Sequence, residues 1–109
     1  NTERLGVDER AKAGAPEDEG RALYEQRCVS CHGESGKGDG PAAVIMEPRP
    51  RDHTDAAWQD SISDDAIARI IAEGSAAVGK STMMPPQPDL KGTPGLAALV
   101  RYVRSFKGR

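Results

Sequence analysis

Cys-Val-Ser-Cys-His at positions 28–32 is the sequence feature that most limits what this chain can become. It holds both cysteines of the chain and one of its two histidines. Side chains three positions apart on a helical turn lie on the same face. Cys28 and Cys31 therefore present two thiols side by side, and the imidazole of His32 follows directly.

Three chemistries use this combination of residues, and the flanking sequence separates them. A redox dithiol needs a strand before the motif, whereas a helical pattern from Glu19 to Val29 precedes it here. A zinc site could draw on Cys28, Cys31, His32 and His53, but adjacent ligands at 31 and 32 suit one tetrahedral ion poorly. The third is covalent haem attachment, the usual meaning of C-x-x-C-H. We favour it because the two thiols can form thioethers to one porphyrin edge while His32 reaches the iron.

The composition agrees with a cofactor in the middle of the fold. Leu, Ile, Val and Phe number 17 of 109 residues, below the fraction of about 20% at which disorder is suspected. The net charge of −2 does not favour disorder, and it gives no reason to expect nucleic acid as a partner. No apolar run approaches the roughly 20 residues of a membrane span. A large flat apolar cofactor would supply the core that the side chains lack.

Helix signals occur in three places, and we find no convincing strand and no internal repeat. Pro16 is suited to the first turn of a helix. A middle helix is predicted over Asp64–Glu73, capped by Ser63 and closed by Gly74. Thr93-Pro94 predicts the start of a last helix, whose apolar stripe extends from Leu96 to Phe106.

The stretch G-R-A-L-Y-E-Q-R-C-V-S-C-H-G-E-S-G-K-G-D-G-P-A-A resembles class I c-type cytochromes, the small bacterial monohaem kind. The resemblance extends over roughly 16–106. The matching features are a glycine and an aromatic before the haem motif, a Gly-Pro after it, a Met-Pro element, and a last helix with an aromatic: Gly20, Tyr24, Gly40-Pro41, Met84-Pro85 and Tyr102.

The resemblance implies an all-α cytochrome c fold, with three to five short helices around one haem c attached through Cys28 and Cys31. We expect residues 16–109 to form this domain and residues 1–15 to form a flexible tail. His32 is the expected proximal iron ligand. The backbone carbonyl of Pro41 is expected to accept the other ring N–H of His32, which would fix its tautomer.

The sixth iron ligand has several candidates. In the family it is the methionine directly before proline, so Met84 is favoured over Met83. Met46 is expected in a short helical turn after Pro41, where it would pack. His53 is expected at the surface; if it bound iron instead, bis-histidine ligation would lower the reduction potential relative to His/Met.

Three further side chains are candidates for contacts with the haem propionates. They are Arg49, Arg51 and Trp58, since P-R-P-R-D-H resembles the stretch that lines the propionate edge in some relatives. Core packing is the alternative role for Trp58.

Two protein ligands on the iron leave no open position, which implies electron transfer between redox proteins rather than catalysis. We therefore expect a monomeric periplasmic electron carrier, with any export signal removed, in a process such as a respiratory chain. A tightly bound haem subunit of a larger oxidoreductase is one alternative. A sensor or peroxidase-like protein in which Met84 dissociates is another, and Lys80 could replace Met84 at high pH.

Charge is unevenly distributed along the sequence. Residues 1–75 carry 9 basic and 16 acidic side chains, and residues 76–109 carry 6 basic and 1 acidic. The resulting dipole could orient a redox partner, although an ordinary solvated helix face would give the same count.

Overall fold

The computed structural model describes residues 16–79 and 84–109, and within these ranges the regular structure is entirely helical. Three single 3-10 turns, at Pro41–Ile45, Ser75–Val78 and Pro88–Leu90, connect the α-helices. The prediction of an all-α fold with three to five short helices is confirmed. The α-helices of the described residues are α1 (Pro16–Arg27), α2 (Val29–His32), α3 (Ala56–Ser61), α4 (Asp64–Glu73) and α5 (Pro94–Arg104).

Helices α1 and α5 cross in direct backbone contact. A Cβ atom added to Gly20 would lie 2.2 Å from the carbonyl oxygen of Ala98, so only glycine allows this approach. One turn further on, the buried ring of Tyr24 packs against Tyr102 and Phe106, with centroid separations of 5.2 and 5.1 Å. The crossing forms the part of the core that side chains fill.

Helix α4 has the bounds that its capping residues predict. The Ser63 hydroxyl accepts the Ala66 N–H at 3.1 Å, and Gly74 ends the helix at φ +86°. Ile67 and Ile71 are buried on its inner face.

Helix α5 also begins as predicted, since the Thr93 hydroxyl accepts the Leu96 N–H at 3.2 Å. It ends at Arg104, earlier than the apolar stripe suggested. Phe106 lies beyond the helix and is nevertheless buried, so the stripe marks the core rather than the helix end.

Helix α3 was not predicted. Its N-terminus is capped by the Asp55 carboxylate, which accepts the N–H groups of Ala57 and Trp58 at 3.0 and 3.3 Å. The buried Gln59 side chain donates to the carbonyls of His53 and Val103 at 2.8 and 2.9 Å. These two bonds attach the segment that carries His53 to α5.

None of the described helices is long and apolar enough to cross a lipid bilayer. Residues 1–15, assigned to a tail from the sequence, lie outside the described residues, so that domain boundary stays a prediction.

Candidate cofactor site

A cavity of about 830 Å³ opens beside the Cys28–His32 motif. This volume is in the upper part of the range of cofactor and ligand sites. Its walls come from α2, the segment 46–53, α3, α4, the 84–87 segment and α5. The shortage of large apolar residues is thus explained: the helices surround a space rather than filling it. The apolar lining includes Ile62, Ile67, Ile70, Ile71, Leu99 and Val103.

Both cysteines border this cavity as free thiols. The chain bends at Cys28, where α1 has ended and α2 begins, and the His32 N–H bonds back to the Cys28 carbonyl at 2.9 Å. Burial raises the pKa of the Cys28 thiol to about 11. Redox-active dithiols need a lowered pKa, and no strand precedes the motif among the described residues. The dithiol alternative is therefore not supported.

The zinc alternative has no geometric support either. All four candidate ligands, Cys28, Cys31, His32 and His53, are described, yet no group of three or more His, Cys, Asp or Glu side chains in the described ranges is arranged to hold a metal ion.

His32 is buried at the cavity wall, and its tautomer follows from one contact. Its Nδ1 lies 3.0 Å from the carbonyl oxygen of Arg51; because a carbonyl can only accept, Nδ1 carries the hydrogen. Nε2 is then left with a free lone pair, which is what an iron ligand needs. Burial lowers the pKa of His32 and keeps it neutral, against the opposing effect of the Arg51 contact.

The backbone carbonyl that accepts the Nδ1–H of His32 therefore belongs to Arg51. The prediction that it belongs to Pro41 is wrong. Pro41 is exposed at the start of a 3-10 turn and is not among the residues that line the cavity. The reason lies at Gly38, where a Cβ atom would lie 2.5 Å from the carbonyl oxygen of Pro50. A glycine at this position lets the 50–51 backbone approach the imidazole.

His53 is buried, with 7% of its surface exposed, so its predicted surface position is wrong. Its ring stacks on that of His32, with centroids 4.2 Å apart and planes 20° apart. Because the two rings lie face to face, with no space between them for a further group, this arrangement does not support His53 as a second iron ligand. Burial and the neighbouring His32 lower the pKa of His53 to about 3, and its buried Nδ1 has no hydrogen-bond partner within 16–79 and 84–109.

Arg49, Arg51 and Trp58 all line the cavity. The guanidinium carbon of Arg51 lies 5.5 Å from the centre of the Trp58 ring, a cation–π contact. The structure thus brings the three candidates for propionate contacts to one cavity, and their role toward a propionate stays a prediction.

Met84 lines the cavity on a segment that is attached to the end of α4. The Ser75 N–H donates to the Met84 carbonyl at 3.2 Å, and the Gln87 N–H donates to the carbonyls of Ile71 and Ala72 at 3.0 and 3.1 Å. Gly74 has no side chain to obstruct this approach, since a Cβ atom there would lie 3.1 Å from the Met84 carbonyl oxygen.

Met46 also borders the cavity. It follows the 3-10 turn that begins at Pro41, so the cavity has a second thioether besides that of Met84. Met83 and Lys80 lie outside the described residues.

Arg27 is a site residue that sequence reasoning missed. Its guanidinium donates to both carboxylate oxygens of Asp89 at 2.9 and 2.8 Å and to the side-chain oxygen of Gln87 at 2.9 Å. These bonds tie the residue before Cys28 to the segment after Met84, across about 60 residues of sequence. Only its position beside Cys28 hints at this role.

Comparison with known proteins identifies the fold around this cavity. The family profile described as cytochrome c matches residues 17–107. The chain belongs to the cytochrome c family. A solved structure named KustC0563 c-type cytochrome is 37% identical to it, over 81% of this chain and 96% of that one, with a TM-score of 0.62. No curated protein matches the sequence.

The residues of this cytochrome c fit a covalently bound haem c. The cavity has the size of a cofactor site, its lining is largely apolar, and the two thiols of the motif border it together with the His32 imidazole, whose Nδ1 contact leaves a lone pair on Nε2. Cytochrome c chains use such groups to hold haem and to transfer electrons.

Proposed function

We propose that this cytochrome c is a periplasmic carrier of single electrons, with one haem c attached through Cys28 and Cys31 and ligated by His32 and Met84. When bound, haem supplies one-electron chemistry between ferric and ferrous iron. The observation that carries the proposal is that all four side chains border one cavity. No residue needs to act as acid, base or nucleophile for this function, so we propose that the protein is not an enzyme.

The protein residues fix ligands and exclude water. The Arg51 carbonyl holds the His32 tautomer and makes the imidazole a better donor. The apolar face of α4 and residues Leu99 and Val103 of α5 keep the site dry, which influences the reduction potential. Arg49, Arg51 and Trp58 are our proposed partners for the propionates.

We propose Met84 rather than Met46 as the sixth ligand because of how each is held. Met84 is followed by two prolines and is bonded through its backbone to the end of α4. Met46 follows Val44 and Ile45, which are 76% and 81% exposed, and its backbone N–H bonds within its own turn, to the Ala43 carbonyl. A ligand on the better anchored segment changes least between oxidation states.

The proposed partners are redox proteins that dock briefly, and the proposed form is a monomer. Electron-transfer complexes are small and weak. The charge count alone does not define the docking face, because three of the basic side chains in the second part of the chain pair with acidic ones: Lys91 with Glu73, Arg104 with Asp64 and Lys107 with Asp60. The periplasm is proposed because bacteria attach haem covalently outside the cytoplasmic membrane.

Carbon monoxide binding to the reduced protein tests this function. A carrier with both axial positions taken should show no immediate Soret shift at neutral pH. A rapid shift in the wild-type protein would favour a sensor or peroxidase-like role instead. Gel filtration of native extracts addresses the other alternative, since a permanently bound subunit would elute with a larger complex.

A further inference from the structure

Three rings lie in series along one wall of the cavity: His32, His53 and Trp58. The first two have centroids 4.2 Å apart with planes at 20°, and the second two have centroids 5.6 Å apart with planes at 24°. The face of the proposed proximal ligand is therefore covered by a second flat ring, which is itself covered by a third.

The contact with Arg51 alone does not fix the His32 ring. A single bond at Nδ1 sets the position of that nitrogen but allows the ring to tilt about it. A flat ring packed against one face restricts this freedom, because a tilt toward it would drive the two rings into each other.

His53 can restrict the tilt of the His32 ring because its own backbone is hydrogen-bonded on both sides. Its N–H donates to the Gly36 carbonyl at 2.6 Å, and its carbonyl accepts from Gln59 at 2.8 Å. The rings of Tyr24 and Phe106 pack at 6.1 Å from it. His53 is thereby attached to the α1/α5 crossing.

The Nδ1 atom of His53 has no role in these contacts. It is buried without a hydrogen-bond partner among the residues that the structure describes, although buried polar groups are normally paired. What the fold uses is the flat face of the ring, which a phenylalanine would also provide.

We propose that His53 is a positioning residue that fixes the plane of the His32 imidazole. The inference rests on the proposed function, in which His32 binds the iron. When haem is bound, the orientation of the His32 imidazole plane would contribute, together with that of the Met84 side chain, to the pattern of the haem methyl resonances in the proton NMR spectrum of the ferric protein. His53 acts on that pattern through His32.

Two substitutions in the haem-loaded protein separate the flat face from simple volume. His53→Phe keeps a planar ring, whereas His53→Leu keeps apolar bulk without one. We expect the ferric methyl pattern of His53→Phe to match the wild type and that of His53→Leu to be redistributed. The proposal is overturned if both variants keep the wild-type pattern, or if both change it equally.

A measurement on the wild-type protein covers the case in which a variant fails to fold. In the ferrous, diamagnetic state, nuclear Overhauser effects should connect the ring protons of His32 and His53; their absence overturns the proposal. Failure of the proposed function looks different, because loss of the haem or of its Met84 ligand changes the visible spectrum of the wild type itself.

Discussion

Replacing Gly20 with alanine should weaken the crossing of α1 and α5. The new Cβ atom would lie 2.2 Å from the Ala98 carbonyl oxygen and 2.7 Å from its carbon. Both atoms belong to the α5 backbone, so no side-chain rotation relieves the overlap. Overpacking of this kind costs about 1–3 kcal/mol, and alanine recovers up to about 1 kcal/mol of helix propensity. Because the helices themselves must separate, we expect a net loss of about 1–2 kcal/mol in the free energy of unfolding.

Guanidinium chloride unfolding of the haem-loaded protein, followed by Soret absorption, measures this loss. With an m-value of about 4 kcal/mol per molar, the midpoint should fall by roughly 0.3–0.5 M. Gly95→Ala is the matched control. There the Cβ atom would meet the ends of two side chains, Leu23 at 3.2 Å and Glu19 at 3.3 Å, which can move. We expect Gly95→Ala to stay within about 0.5 kcal/mol of the wild type. A Gly20→Ala protein as stable as Gly95→Ala would refute the argument from backbone contact.

Three further predictions concern the ligand, a surface ion pair and a buried amide. Met84→Ala should abolish the long-wavelength sulfur-to-iron absorption band and allow the ferrous protein to bind carbon monoxide, whereas Met46→Ala should do neither; the reverse result would assign the iron to Met46. The hydrogen bond from Arg27 lowers the pKa of the Asp89 carboxyl. The ion pair therefore stabilises the fold fully above the unfolded-state pKa of about 3.9, and this stabilisation is lost as the pH falls below that value. Asp89→Asn should accordingly destabilise the protein at pH 7 and not at low pH in chemical unfolding experiments, and an equal effect at both would contradict the ion pair. Gln59→Leu removes the donor for two backbone carbonyls and should lower the free energy of unfolding by about 2–3 kcal/mol. An unchanged stability in calorimetry would contradict the importance of these two hydrogen bonds.

Helix ends that depend on neighbouring residues could be predicted, whereas the short helix α3 could not. The bounds of α4 follow from Ser63 and Gly74, and the start of α5 follows from Thr93, because each cap acts within one turn. Helix α3 has only six residues, too few for an apolar period, and its cap at Asp55 resembles many acidic positions that begin no helix. Its stability comes instead from tertiary bonds, such as those of Gln59.

The site residues also fall into those that local spacing predicts and those that depend on tertiary contacts. The roles expected of Cys28, Cys31 and His32 depend on spacing within one turn, which a sequence displays directly. The burial of His53 depends on rings at 24 and 106, and nothing in its charged neighbourhood, R-D-H-T-D, indicates it. Likewise, Arg51 rather than Pro41 is the partner of His32 because Gly38 lets the 50–51 backbone approach the imidazole, a contact that the spacing of the motif does not show.

Covalent attachment of one haem at Cys28 and Cys31 is the claim on which the account depends. Intact-mass spectrometry of the purified protein under denaturing conditions tests it most directly. We predict a single species heavier than the polypeptide by one haem, and a Cys28→Ser, Cys31→Ser double variant that loses this added mass. A wild-type protein whose denatured chain has the mass of the polypeptide alone would contradict the account.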